Sequence, residues 1–150
     1  MYIGNFLIKA IVTFNKKVLL LCYSGNTKIR GELLKKFDLP GYKPFIFGVK
    51  SIDSTFAIGL SNKIVKDIGV NITLSKPFFI SAIEPKHFGM TTTESYEILL
   101  IVFECKAKSD KLRLSEEYAE YKWIDPKEYK TEGLYEYLWP VFTKYNDLKN

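Results

Sequence analysis

Three charged side chains share one face of a predicted helix, and their types decide what that face can bind. Lys63, Lys66 and Asp67 are three and four residues apart, a spacing that places them side by side on a helix. Two ammonium groups beside one carboxylate repel a divalent cation, whereas lysine binds phosphate as a point charge without a metal. Lys63 and Asp67 also have the spacing of an i,i+4 ion pair, which would occupy the only carboxylate. The face therefore predicts a phosphate contact rather than a metal site.

The helix that carries this face has recognisable start and stop signals. Asp53 and Ser54 are N-cap residue types, and Gly69 stands where helices commonly end, with Val70 leading into a strand-like run. Apolar residues recur between them at three- and four-residue steps: Phe56, Ala57, Leu60, Ile64 and Ile68. This pattern predicts a helix of about four turns over residues 55–68, docked by one apolar face.

The residues around this helix resemble the signature of the Nudix superfamily. A short strand ends in Leu39-Pro40-Gly41, a loop follows, and the helix closes with Gly69-Val70. The family box reads Gly-x5-Glu-x7-Arg-Glu-U-x-Glu-Glu-x-Gly-U, where U is an aliphatic residue. Anchoring the box on Gly69 places its defining positions on Gly48, Ser54, Asn62, Lys63, Lys66, Asp67 and Gly69. The loop before the helix is longer than in the family, so either Gly48 or Tyr42 corresponds to the first glycine of the box.

The resemblance implies a fold and, through the replaced residues, a function. Nudix domains are α/β/α sandwiches with a mixed sheet, and one such domain is expected over residues 1–150. Nudix enzymes attack a diphosphate with water activated by Mg²⁺, which the box glutamates bind. Here every box glutamate is replaced, only Asp67 keeps a carboxylate, and Asn62 stands in place of the arginine. We therefore expect a degenerate box and a catalytically inactive protein that uses no metal and no cofactor.

An alternative is a divergent Nudix hydrolase of a nucleoside diphosphate-linked substrate, in which the metal ligands have moved. Candidate carboxylates lie at the helix start, before the most strand-like run of the chain and in the penultimate strand: Asp53, Glu94, Glu97, Glu116 and Glu117. Nudix enzymes sometimes take a base from a loop outside the box, which keeps this alternative open.

Further basic and aromatic residues favour a nucleotide or an RNA phosphate group as the ligand. In Nudix enzymes the loop after the first hairpin borders the substrate. Together with the box lysines, the basic residues of that loop are candidate phosphate contacts: Lys28, Arg30, Lys35, Lys36, Lys63 and Lys66. Three aromatic residues are candidates for base stacking: Tyr23, Phe37 and Tyr42. The alternatives are a solvated loop, aromatic residues that anchor the core, and a protein-interaction module that presents the apolar segment 42–48 to a protein partner.

Composition sets the class of protein. The chain of 150 residues is long enough for one domain with a sizeable core, and 47% hydrophobic residues exclude a disordered chain. The net charge of +5 permits an anionic partner without requiring one. No apolar run is long enough to span a bilayer, and the first residues do not resemble a signal peptide, so a cytoplasmic protein without a membrane partner is expected. Cys22 and Cys105 lie in apolar runs that indicate reduced, buried thiols, and the single His87 in a polar loop does not predict a metal site.

Alternating and continuous apolar runs predict the strands. Residues 6–14 and 18–23 form a hairpin around a turn at residues 15–17. Strands are also predicted at 71–74, 77–83, 97–105 and 116–124, with 97–105 as a central strand. The chain ends in an amphipathic helix predicted from about residue 133 to 145, in which Pro140 is expected to cause a kink.

Overall fold

The computed structural model describes residues 5–26, 36–44, 52–83 and 98–150. Its strands are β1 (Asn5–Phe14), β2 (Lys17–Tyr23), β3 (Gly41–Tyr42), β4 (Ile72–Ile83), β5 (Ile98–Ala107) and β6 (Tyr118–Ile124). Its α-helices are α1 (Ile52–Ile68) and α2 (Trp139–Lys149), and short 3-10 helices cover Ser24–Asn26, Pro126–Thr131 and Glu136–Leu138. Within these ranges no helix is long and apolar enough to cross a bilayer.

The described strands form one mixed sheet. Its order is β4-β5-β1-β2-β6, and the short strand β3 also pairs with β1. Strands β1 and β5 run parallel, while the other pairs are antiparallel. The predicted mixed sheet is therefore confirmed. The strand predicted at residues 97–105 is found as β5, an inner strand between β4 and β1.

Each face of the sheet is covered by one helix. Successive side chains of β1 point to opposite faces, and apolar residues of β1 are buried on both faces. Ile8, Ala10 and Val12 are buried in a cluster with the apolar face of α1. Ile11 is buried on the other face with apolar residues of α2. The helix predicted over residues 55–68 is confirmed as part of α1, and the two helical layers confirm the α/β/α sandwich.

The predicted start of the C-terminal helix is wrong. Helix α2 begins at Trp139 rather than near residue 133, and Pro140 lies in its first turn instead of causing a kink. Proline fits the first turn of a helix because the N–H it lacks would have no partner there. The residues before it are held elsewhere, since the Phe37 backbone N–H donates to the Gly133 carbonyl and the Tyr135 N–H donates to the Phe37 carbonyl.

Strand β4 is the outermost strand on one side of the sheet among the described residues. It was predicted as two pieces, 71–74 and 77–83, and is found as one twelve-residue strand paired with β5. The pairing register shifts on both sides of Pro77, because proline has no N–H to donate to the ladder. Ile80 on this strand is 63% exposed.

Helix α1 ends just before a residue with a left-handed backbone conformation. Gly69 has a φ of +68°, its N–H donates to the Val65 carbonyl, and a Cβ at this position would lie 2.9 Å from the Arg113 carbonyl oxygen. Only glycine adopts this conformation without a steric cost.

We predict that Gly69→Ala lowers the free energy of unfolding by about 1–2 kcal/mol, because of the positive φ and the close contact. The matched control is Gly25→Ala, since a Cβ on Gly25 would meet nothing within 4 Å. Urea denaturation of both variants measures the difference. Equal stability of the two variants would show that the positive φ and the close contact at Gly69 have no energetic cost.

Candidate functional site

The charged face of α1 is organised around Lys63. Its Nζ lies 3.0 Å from Asp67 Oδ2 and 2.5 Å from Glu117 Oε2, just before β6. The predicted i,i+4 pair is therefore confirmed, and a second carboxylate joins it from a distant part of the chain. The Lys63 ammonium occupies the space between the two carboxylates.

Asp67 is a buried carboxylate with several donors. Its side chain is 1% exposed and accepts hydrogen bonds from Ser115 Oγ at 3.2 Å and Tyr118 OH at 3.3 Å, in addition to the Lys63 contact. The Ser115 N–H also donates to the Asp67 carbonyl at 2.9 Å. A buried charge needs such partners, so this cluster ties the last turn of α1 to the segment before β6.

The residues of this face do not fit a magnesium ion. Mg²⁺ requires an octahedral set of oxygen ligands, usually including one or two carboxylates. Both Asp67 oxygens already accept bonds from an ammonium or a hydroxyl, and the neighbouring positions hold the exposed side chains of Asn62 and Lys66. Across the described ranges, no three His, Cys, Asp or Glu side chains are grouped closely enough to hold a metal.

A second buried ion pair, between Lys9 and Asp38, was not predicted from the sequence. Lys9 on β1 is 2% exposed, and its Nζ lies 3.0 Å from Asp38 Oδ2 and donates to the Leu39 carbonyl at 3.2 Å. Tyr137 OH donates to Asp38 Oδ1 at 2.7 Å. The available signal was a single lysine in the apolar run 6–14 and a single aspartate between Phe37 and Leu39.

The two polar clusters approach each other at Tyr23. Lys9 Nζ donates to Tyr23 OH at 3.3 Å, and the Tyr23 ring lies 5.1 Å from the Tyr118 ring, centroid to centroid. Tyr118 in turn donates to Asp67. Buried and half-buried ionisable groups thus follow one another from α1, past Tyr23 at the end of β2, to Tyr137 on the face covered by α2.

Burial and these contacts shift several pKa values upwards. Burial and the neighbouring charges of Tyr23, Asp67, Glu117 and Asp38 raise the pKa of Tyr118 far above 10. Burial lowers the pKa of Lys9, but the attraction of Asp38 and Tyr23 outweighs it and the pKa is raised. Burial raises the pKa of Cys105 to about 12, as expected for the inert buried thiol that the sequence predicted.

The structure places the predicted phosphate contacts in different environments. Lys66 is exposed on α1, Lys36 is half-buried, and Lys63 is held by the two carboxylates. Several predicted residues, or their side chains, lie outside the described part of the chain: Lys28, Arg30, Lys35, Gly48, Asp53, Ser54, His87, Glu94 and Glu97. The phosphate contacts remain predictions.

The three aromatic residues predicted to stack on a base all contact the protein. Tyr23 packs on Tyr118, and the Phe37 ring is buried with the Lys122 ammonium 4.1 Å from its centroid. Tyr42 OH donates to the Phe56 carbonyl at 3.4 Å, and a Cβ on Gly59 would lie 2.3 Å from that hydroxyl. A base could stack on Phe37 only after the Lys122 ammonium moved away.

Comparison with solved structures identifies the fold. The MutT protein from Methanosarcina mazei Go1 superposes with a TM-score of 0.70 at 21% identity, covering 98% of this chain and 96% of that one. The E. coli ORF135 protein gives 0.69 at 15% identity over 97% and 91%, and a NUDIX-family hydrolase from Clostridium perfringens gives 0.66 at 15% over 99% and 100%. The sequence matches no protein-family model and no curated protein. The chain is similar to these proteins in fold, and the fold is Nudix-like.

We predict that Tyr118→Phe lowers the free energy of unfolding by about 1–2 kcal/mol at neutral pH, because Asp67 loses a buried donor. A raised folded-state pKa means that the wild-type protein keeps this proton while the unfolded chain releases it from about pH 10 upwards. Stability should therefore fall as the pH rises above 10, and the fall should be shallower in the variant. Urea denaturation between about pH 8 and 11 measures both effects, and parallel curves would contradict the role of Tyr118.

Proposed function

We propose that this chain is a Nudix-fold protein without metal-dependent diphosphate hydrolysis at its box helix, and that it binds the phosphate group of a nucleotide or an RNA instead. One observation carries the first half of the proposal: the Lys63 ammonium lies between the carboxylates of Asp67 and Glu117. A positive side chain there repels a divalent cation and satisfies the carboxylates that would otherwise attract one.

The second half of the proposal is supported by Lys66. It lies three residues after Lys63, is exposed, and forms no ion pair with any described residue. The charge of Lys63 is opposed by two carboxylates, so Lys66 offers the stronger attraction for an anion on this helix. Lysine needs no metal to bind phosphate, which makes the proposed binding independent of chelator.

Relocated metal ligands are the alternative that the tests below must distinguish. Of the candidate carboxylates, Glu116 and Glu117 are both exposed, and Glu117 is already paired with Lys63. A protein-interaction module is a further alternative, and most of its predicted segment, residues 45–48, lies outside the described ranges.

We expect no hydrolysis of nucleoside di- or triphosphates, dinucleotide polyphosphates or sugar nucleotides above background with Mg²⁺ or Mn²⁺. The reason is that the two described carboxylates beside Lys63, those of Asp67 and Glu117, are both paired with its ammonium group. Release of phosphate-containing product is the measurement. Metal-dependent turnover that is abolished by Asp67→Asn or Glu116→Gln would show that the ligands had moved and that the proposal is wrong.

A thermal-shift experiment tests the role of Lys63 directly. Lys63→Met should lower the free energy of unfolding by about 1–3 kcal/mol, because the buried Asp67 charge keeps only hydroxyl donors. Mn²⁺ should recover part of the lost melting temperature in this variant and leave the wild-type protein unchanged. Equal stabilisation of both proteins by Mn²⁺ would show that the ammonium does not exclude metals.

Phosphate binding at the box helix has its own test. Lys66→Ala should weaken binding of a nucleotide or a short RNA, with EDTA having no effect on either protein. One lost phosphate contact should lower the slope of log affinity against log salt by about 1, or about 0.7 on a single strand. Lys144→Ala, another exposed lysine on a helix, is the control. If Lys63→Ala, Lys66→Ala leaves affinity and slope unchanged, the helix is not a phosphate site and the interaction-module alternative replaces it.

A further inference from the structure

A basic cleft lies at the opposite end of the sheet from the Lys63 cluster. Two adjoining open cavities of about 610 and 390 Å³ share Asn15, Lys16, Tyr145 and Lys149 in their walls. These residues belong to the β1–β2 turn and to α2. Lys63 and Glu117 lie near the other end of β2, about 20 Å away along that strand. We call this region the hairpin cleft.

The hairpin cleft concentrates positive charge. Its walls hold five lysines and two carboxylates, a side-chain net charge of +3 out of +5 for the whole chain: Lys16, Lys17, Lys106, Lys127, Lys149, Glu104 and Asp125. Both carboxylates are engaged, since Glu104 lies 2.6 Å from Lys149 Nζ and Asp125 accepts from the Lys127 backbone N–H. Within the described residues, the ammonium groups of the other four lysines have no carboxylate partner.

The turn of the hairpin holds one of these lysines at a conformational cost. Phe14 pairs with Lys17, so Asn15 and Lys16 are the two central turn residues, with φ of 50° and 65°. Asparagine suits the first of these positions, whereas the second usually holds glycine in such turns. A lysine there is less stable than glycine, and it adds a positive charge to the walls of both cavities.

We infer that the hairpin cleft binds the phosphodiester backbone of single-stranded nucleic acid, at a site separate from the box helix. Several lysines in the walls of two adjoining open cavities match a row of phosphates better than a single anion. The exposed Asn15 adds an amide donor for phosphate or sugar oxygens, whereas Asn146 Nδ2 already donates to the Pro126 carbonyl at 3.1 Å. An acidic protein is the less suitable partner, because lysine is depleted in protein interfaces, whose energetic centres favour Trp, Tyr and Arg. The Tyr145 ring is buried and the Lys149 ammonium lies 5.5 Å from its centroid, so no base preference is expected.

The test measures binding of a fluorescent oligouridylate of about a dozen nucleotides by anisotropy, between about 50 and 200 mM NaCl. Lys16→Gly, Lys127→Ala removes two cleft charges and should lower affinity roughly tenfold and the salt slope by about 1.4. Lys76→Ala, Lys144→Ala removes the same charge from exposed positions outside the cleft and should change affinity less than about twofold.

The single variant Lys16→Gly distinguishes an effect on binding affinity from an effect on stability. Because glycine accepts the positive φ, this variant should melt at or above the wild-type temperature while its affinity falls about threefold. A lower melting temperature, or an unchanged affinity, would overturn the argument from the turn.

The remaining outcomes distinguish this site from the box helix and from other partners. Equal losses in the cleft and control variants, no binding at about 50 mM NaCl, or stronger competition by polyglutamate than by unlabelled RNA would each overturn the proposal. If only Lys66→Ala weakens RNA binding, the box helix is the site and the cleft is not. If the cleft variant weakens binding and Lys66→Ala does not, the cleft proposal stands and the phosphate site on the box helix falls.

Discussion

A buried carboxylate at the end of α1 is the constraint on which much of this structure depends. Asp67 is almost inaccessible, so its charge has to be balanced within the protein. Its partners Ser115 and Tyr118 lie 48 and 51 residues further along the chain, and Lys63 joins it to Glu117. Satisfying this one group therefore fixes α1 against β6. The contacts that fix α1 in place also engage both oxygens of the Asp67 carboxylate.

The Lys9–Asp38 pair has the same role on the other side of the sheet. Asp38 exchanges backbone hydrogen bonds with Leu21 on β2, and the Pro40 carbonyl accepts from the Ala10 N–H on β1. The ion pair with Lys9 therefore links β1 to the segment that bonds to both strands. A Cβ on Gly41 would lie 2.1 Å from the Ile8 carbonyl, so the turn passes very close to β1. The segment Leu39-Pro40-Gly41 therefore holds β1 and β2 in place and positions β3 before α1.

Residue patterns predicted the local features of the fold, and the family resemblance predicted its layers and mixed sheet, but neither predicted which distant charged groups pair. Periodicity was sufficient for α1 and β5, and spacing alone predicted the Lys63–Asp67 pair. The start of α2 was missed because the apolar pattern continues through Leu134 and Leu138, although backbone bonds to Phe37 hold that segment outside the helix. The donors to Asp67 were missed for the same reason as Lys9–Asp38: residue types show that a charge is present, but only the folded chain shows which distant group balances it.

The irregular edge of the sheet has a consequence for how molecules of this protein meet. An exposed strand with unpaired backbone groups is a template onto which another chain can add, and such addition leads to aggregation. The exposed Ile80 on β4 makes this edge attractive to a second apolar strand. Pro77 and the register shifts beside it interrupt the strand in the middle, so an added strand would find no continuous ladder. Proline and register shifts within an edge strand are features that oppose strand addition, and β4 has both.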